Sequence, residues 1–216
     1  MATLGQKVVA EATGTALLVA VVVGSGIQAQ RLSPDDVGLQ LLENSTATAA
    51  GLVALILVFA AVSGAHFNPV VSLADRVAGA GITTRELVAY VPAQIAGGAV
   101  GAVLANVMFD LDAVTVSTHH RAGAGLWLGE VVATLGLVLV ARRAAAPYAV
   151  AAYIGAAYWF TSSTSFANPA VTIGRTLTDT FAGIEPASAP AFVAAQLVGG
   201  ALAVGLVRFL DAEAHA

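Results

Sequence analysis

Six apolar stretches, each roughly the length of a membrane-crossing helix, run over 8–29, 45–63, 87–109, 124–141, 147–164 and 188–208. About 20 such residues carry a helix across ~30 Å of hydrocarbon. Backbone in that medium must satisfy its own hydrogen bonds, so a run of this kind is a spanning helix rather than an open strand. The composition agrees: 58% of residues are hydrophobic and 10% charged, where soluble chains carry about 25% charged residues. The spans are rich in Gly, Ala, Ser and Thr, which let membrane helices approach closely, so a tight all-α bundle is predicted. With no cysteine in 216 residues, disulfides, thiolate metal sites and cysteine nucleophiles are excluded. The net charge of −4 and scattered basic residues exclude a nucleic-acid-binding face.

The first span follows Lys7 in the manner of a secretory signal, but Glu11 interrupts it and five further spans follow, so it is expected to be retained. Lys7, Arg76, Arg85, Arg142, Arg143 and Arg208 fall on one side of the bundle, and Arg31, Arg121 and Arg175 on the other. The richer side is expected to be cytoplasmic, which places a multi-pass protein in the cell membrane with both termini inside. Connections are short and show no composition break, so residues 1–216 read as a single membrane domain.

The chain repeats itself. Phe67-Asn68-Pro69-Val70-Val71-Ser72 resembles Ala167-Asn168-Pro169-Ala170-Val171-Thr172, and the region of Gln94-Ile95-Ala96-Gly97-Gly98-Ala99 resembles Gln196-Leu197-Val198-Gly199-Gly200-Ala201. Glu11 of the first span has a counterpart in Glu130 of the fourth. Two copies of three spans, approximately 1–115 and 116–216, must insert with opposite orientation, an arrangement that puts a functional site near the midplane where the copies meet. Residues 64–85 and 165–187 are longer than turns, and their first residues are small and apolar, so both are predicted to re-enter the membrane. Non-helical backbone at that depth has to be buried in protein or line a wet cavity.

Asn is a preferred N-cap and Pro a preferred first helical residue, so each Asn-Pro is expected to start a short half-helix. If each Asn oxygen caps its helix, its amide NH2 is left free to face a lumen. Two positive helix ends then meet at the midplane, repelling cations while orienting the oxygen of a neutral solute such as water or a small polyol. No metal or cofactor is expected.

These residues resemble the major intrinsic proteins, the aquaporins and aquaglyceroporins. Ser63-Gly64-Ala65-His66-Phe67-Asn68-Pro69-Val70-Val71-Ser72 is similar to their first signature loop, Asn168-Pro169-Ala170 to the second, and Ala10-Glu11-Ala12-Thr13-Gly14-Thr15 to their first span. The resemblance implies six tilted helices plus two re-entrant half-helices, one pore per protomer and a homotetramer in the lipid bilayer. Most members carry an arginine directly after the second motif, where this chain has Val171. The family's other filter positions, carried over by spacing, fall on Thr48, Ala156 and Ser165. None is aromatic or charged, so the expected opening is wide and weakly polar and passes small neutral solutes larger than water. The bacterial branch associated with arsenic resistance is the most similar in this respect, which implies arsenite as its neutral trihydroxide, with glycerol-like polyols and water.

Arg175 lies four residues beyond Val171, on the same helical face about 6 Å along the axis. It either guards the outer mouth or stabilises the C-terminal end of its half-helix through the dipole, the second being preferred. Glu11 and Glu130 are costly in a bilayer. A proton relay is one use for them; the preferred one is structural, accepting hydrogen bonds from re-entrant backbone, with Gln94 and Gln196 acting similarly or bridging helices. His66 lines or gates the inner vestibule, or is held by a fixed hydrogen bond in its loop. His119 and His120 read as exposed, because two neighbouring histidines make a poor metal site. The rival functions are an alternating-access transporter, which inverted repeats also build, and an intramembrane hydrolase using Ser63 or Ser25 with His66. The hydrolase lacks an evident residue to orient its base.

Overall fold

The computed structural model describes residues 2–79, 81–144 and 146–213. Among these residues the regular elements are all helices: α1 (Leu4–Leu32), α2 (Val37–Ser63), α3 (Pro69–Val77), α4 (Thr84–Met108), α5 (Ala124–Arg143), α6 (Pro147–Phe160), α7 (Pro169–Gly174, continued by a 3-10 turn over Arg175–Leu177) and α8 (Ala189–Glu213). α1, α2, α4, α5 and α8 are long and apolar enough to cross a membrane. The fifth predicted span is shorter than expected. α6 ends at Phe160 rather than 164, because Thr161 is extended and its hydroxyl caps the Ala157 carbonyl at 2.7 Å. Its 14 residues rise about 21 Å, and the non-helical segment 161–168 carries the chain onward.

The first two helices extend beyond the apolar stretches. α2 starts at Val37 rather than 45, with Asp36 capping the amide of Leu39 at 2.8 Å. Polar residues in that extension are buried and paired within the protein. Gln40 donates to the Ser33 carbonyl at 2.7 Å, and Asn44 to the Val22 carbonyl at 2.8 Å. A hydropathy pattern counts such residues as solvated, which is why the helix looked shorter.

The chain packs as two equivalent halves. α1 packs against α2 and α4, and α5 against α6 and α8; α3 lies against α4 of its own half and against α8 and α5 of the other, while α7 lies against α8 of its own half and against α4 and α1 of the other. Close approach depends on glycine: a Cβ on Gly97 of α4 would sit 2.3 Å from the Ala12 carbonyl oxygen of α1, and one on Gly101 2.2 Å from that of Ala16. Small residues at these crossings supply the dispersion contacts that hold helices together where lipid is as apolar as their side chains. Lys7 pairs with Glu86, and Arg208 donates to the Val77 carbonyl at 2.6 Å. The start of α1 and the last turns of α8 therefore share the end of the bundle that carries the α3–α4 connection.

Candidate functional site: a cavity between two half-helices

Each half-helix is started by its asparagine. Asn68 Oδ1 accepts from the amide of Val70 at 2.9 Å, and Asn168 Oδ1 from those of Ala170 and Val171 at 2.9 and 3.3 Å, with proline at the first helical position in both. The amide groups are not left free. Asn68 Nδ2 donates to the carbonyl of Ala167, and Asn168 Nδ2 to that of Phe67, both at 2.8 Å. One N–H of each amide is thus spent on the opposite loop, and the other has no partner among the described residues.

The loops that lead into the caps are backbone curiosities held by carboxylates. Ala65 and Phe67, and their counterparts Ser165 and Ala167, have φ near +50°, a conformation that costs a residue with a Cβ about 1–2 kcal/mol. Glu11 holds the first loop, accepting from the amides of His66 and Phe67 at 3.0 and 2.7 Å, from Ser63 at 2.6 Å and from Gln94 at 2.8 Å. Glu130 holds the second, accepting from the amides of Phe166 and Ala167 at 2.8 Å each and from Gln196 at 2.6 Å. Both carboxylates are completely buried. A trans peptide points its C=O opposite to its N–H. Amides aimed at Glu11 therefore turn the Ala65 and His66 carbonyls away from it, and those aimed at Glu130 turn the Ser165 and Phe166 carbonyls away. All four residues line a cavity.

That cavity, about 450 Å³, reaches from Lys7, Ile82 and Glu86 at one end, past Asn68 and Asn168, to Tyr158, Phe166 and Arg175 at the other. Its walls follow the repeat. Leu18 and Val22 of α1 lie at the same distance beyond Glu11 as Leu137 and Ala141 of α5 beyond Glu130, and Val71 and Asp75 of α3 match Val171 and Arg175 of α7. Most of the wall is apolar, interrupted by a few hydroxyls, the asparagines and the loop carbonyls.

Of the residues placed by spacing, Thr48, Ser165 and Val171 line this cavity, and Ala156 does not. Position 156 is exposed on the outside of α6, where Ile154 and Tyr158 face inward instead. The physical reason is helical phase: residues 150, 154 and 158 share one face, and 156 lies about 200° from 154. An aromatic side chain therefore stands where none was expected. Tyr158 is buried, with its hydroxyl 3.2 Å from Thr48 Oγ1. The run Val150-Ile154-Tyr158 was the available signal, and carrying spacing across the short α6 missed it. The Ser165 hydroxyl is buried with no hydrogen-bond partner among the described residues.

Arg175 is buried and lies against the ring of Phe166, 3.4 Å from its centroid, with Nε donating to the Ala182 carbonyl. At the other end His66 is gripped on both ring nitrogens, Nδ1 3.0 Å from Ser72 Oγ and Nε2 3.1 Å from Asp75 Oδ2. Asp75 also pairs with Arg142 at 2.9 Å. Asp75 was not singled out from the sequence, although it sits 100 residues before Arg175 as Asn68 sits before Asn168. His119 and His120 are exposed, His120 pairing with Glu185 at 2.8 Å. Among the described residues no group of three potential metal ligands converges.

A family model described as "Major intrinsic protein" matches residues 1–152. The chain is 50% identical over 213 residues to the aquaglyceroporin AqpS of Rhizobium meliloti (strain 1021), covering 96% of this chain and 91% of that protein. It is 40% identical over 103 residues to aquaporin-8 of Notomys alexis, covering 48% and 37%. Among solved structures, the aquaglyceroporin from Plasmodium falciparum superposes with a TM-score of 0.70 at 18% identity, covering 94% of this chain and 95% of that one. At that identity the likeness speaks for the fold.

Proposed function

The chain belongs to the major intrinsic protein family, as a multi-pass membrane channel that passes small neutral solutes such as glycerol and water, and on that premise we propose that arsenite, as its neutral trihydroxide, is among its permeants. The observation that carries this reading is the chemistry of the cavity beyond Asn168. Val171 faces it where most of the family has an arginine, beside the unpaired Ser165 hydroxyl and the Thr48–Tyr158 pair. A trihydroxide needs several hydrogen-bond partners in place of water and a wall without a strongly hydrated charge at its narrowest contact. The hydroxyls of Thr48, Tyr158 and Ser165 and the apolar Val171, Leu52 and Ile154, lining the same cavity, meet both needs. We assign Thr48, Tyr158, Ser165 and Val171 to this constriction. Asn68, Pro69, Val70, Asn168, Pro169 and Ala170 form the midplane, with His66 in the opposite vestibule.

The protein is a channel and not an enzyme. The proposal extends to a homotetramer with both termini cytoplasmic, the orientation that the excess of Lys and Arg at the Lys7 end favours. The second half repeats the first from residue 116 onward.

Stopped-flow swelling of vesicles carrying the purified protein, under water, glycerol and arsenite gradients, tests the substrate. Arsenite flux that rises linearly with concentration and has a low activation energy is expected. Saturating flux would favour an alternating-access carrier, and glycerol flux without arsenite flux would remove the substrate assignment.

A further inference from the structure

The geometry points to Arg175 as the residue that excludes cations from this pore, one helical turn beyond the position where Val171 stands in for the usual arginine. The inference rests on the channel reading and adds to it a specificity-determining residue. Arg175 is 4% exposed and lines the cavity. Among the described residues no carboxylate lies within ion-pair distance of it. A buried charge with no carboxylate in direct contact, only the longer-range attraction of Glu130, is expensive inside a membrane protein and points to a functional position. Its twofold counterpart Asp75 is, by contrast, ion-paired with Arg142, with His66 Nε2 3.1 Å from its other oxygen.

The guanidinium is also aimed. Its Nε is tied to the Ala182 carbonyl and its plane rests on the Phe166 ring, so two sides are spent on protein. The terminal nitrogens find no hydrogen-bond partner among the described residues and are not sealed from the cavity. Arg121 lies 5.3 Å from the same ring and donates to the carbonyls of Gly183 and Phe181 on either side of Ala182. The 181–183 segment is thus clamped by two arginines, and the inner of them presents its free edge to the lumen. A fixed positive charge there repels cations whatever residue 171 is, and still offers donors to the oxygen of a neutral solute.

The test is sodium and methylammonium permeability, measured beside glycerol and arsenite, in phosphatidylcholine vesicles holding the wild type, Arg175→Gln, Phe166→Leu, or Arg175→Gln combined with Val171→Arg. Arg175→Gln is expected to raise the sodium-to-glycerol permeability ratio about tenfold or more, and moving the charge back one turn in the double variant to restore wild-type exclusion. Phe166→Leu frees the guanidinium and is expected to raise the ratio by about threefold. Unchanged cation exclusion in a glycerol-permeable Arg175→Gln protein overturns the inference; if that variant does not fold, unchanged exclusion in Phe166→Leu overturns it. Wild-type vesicles that pass glycerol but not arsenite would defeat the substrate reading alone, since sodium still decides the role of Arg175.

Discussion

Asn68 donates its side-chain amide to the backbone carbonyl of Ala167, the residue that precedes its twin asparagine. With the reciprocal bond from Asn168 to Phe67, the two half-helices are tied to each other as well as capped. Each asparagine therefore joins local helix initiation to the contact between the halves. Asn168→Ala should remove the cap on Ala170 and Val171 together with the bond to Phe67, lowering stability by about 1–3 kcal/mol. Thermal melting in detergent checks this. Combining it with Asn68→Ala should cost less or more than the sum of the two single changes, since residues in one network couple. Strict additivity would mean that the cross-bonds carry no energy.

Glu11 accepts four hydrogen bonds, two of them from the backbone amides of His66 and Phe67 in a loop where Ala65 and Phe67 sit at positive φ. Replacing it with Gln turns one acceptor into a donor facing other donors. Glu11→Gln is expected to lose about 2–3 kcal/mol of stability, while solute flux per folded protomer keeps the pH profile of the wild type. A proton relay predicts the reverse: stability intact and pH dependence altered.

The α1–α4 crossing has no room for a methyl group at Gly97, where it would meet the Ala12 carbonyl oxygen at 2.3 Å. Gly97→Ala should force the helices apart and cost about 1–3 kcal/mol. Gly125→Ala, in an open position with nothing within 4 Å, should be neutral or stabilising by up to about 1 kcal/mol, because alanine restricts the unfolded chain. Detergent melting curves compare the pair. Equal effects would contradict the packing described for this crossing.

Helical phase on α6 makes a prediction against simple spacing. Ala156→Trp, on the outer surface, should leave the glycerol-to-water permeability ratio within about twofold of wild type. Tyr158→Ala should open the constriction beside Thr48 and raise the flux of polyols longer than glycerol. Sorting vesicle swelling rates by solute size distinguishes the two faces. A Trp at 156 that blocks polyols would place that residue in the lumen after all.

Val171→Arg should slow glycerol and arsenite more than water, because it adds a second guanidinium one turn from Arg175 and narrows the same wall. An equal loss for every solute in folded protein would count against Val171 facing the passage.

Much of the architecture was legible in the amino-acid order. Apolar length set the spanning helices, and the recurrence of Asn-Pro, the glutamates and the glutamines revealed two halves. These are local properties: a run of side chains either can or cannot cross a bilayer, and asparagine followed by proline starts a helix wherever it occurs. The start of α2 was obscured because Gln40 and Asn44 look solvated until their partners on and just beyond α1 are known.

The lumen was decided by tertiary structure. Which face of α6 turns inward, and so whether Ala156 or Tyr158 reaches the passage, depends on how a 14-residue helix rotates against its neighbours. The place of Arg175 depends on an aromatic ring nine residues earlier and a carbonyl seven residues later, brought together only when the second re-entrant loop closes. Sequence spacing counts residues along a chain, whereas a pore is read across it, and the rotation and side-chain packing that relate the two exist only once the halves have met.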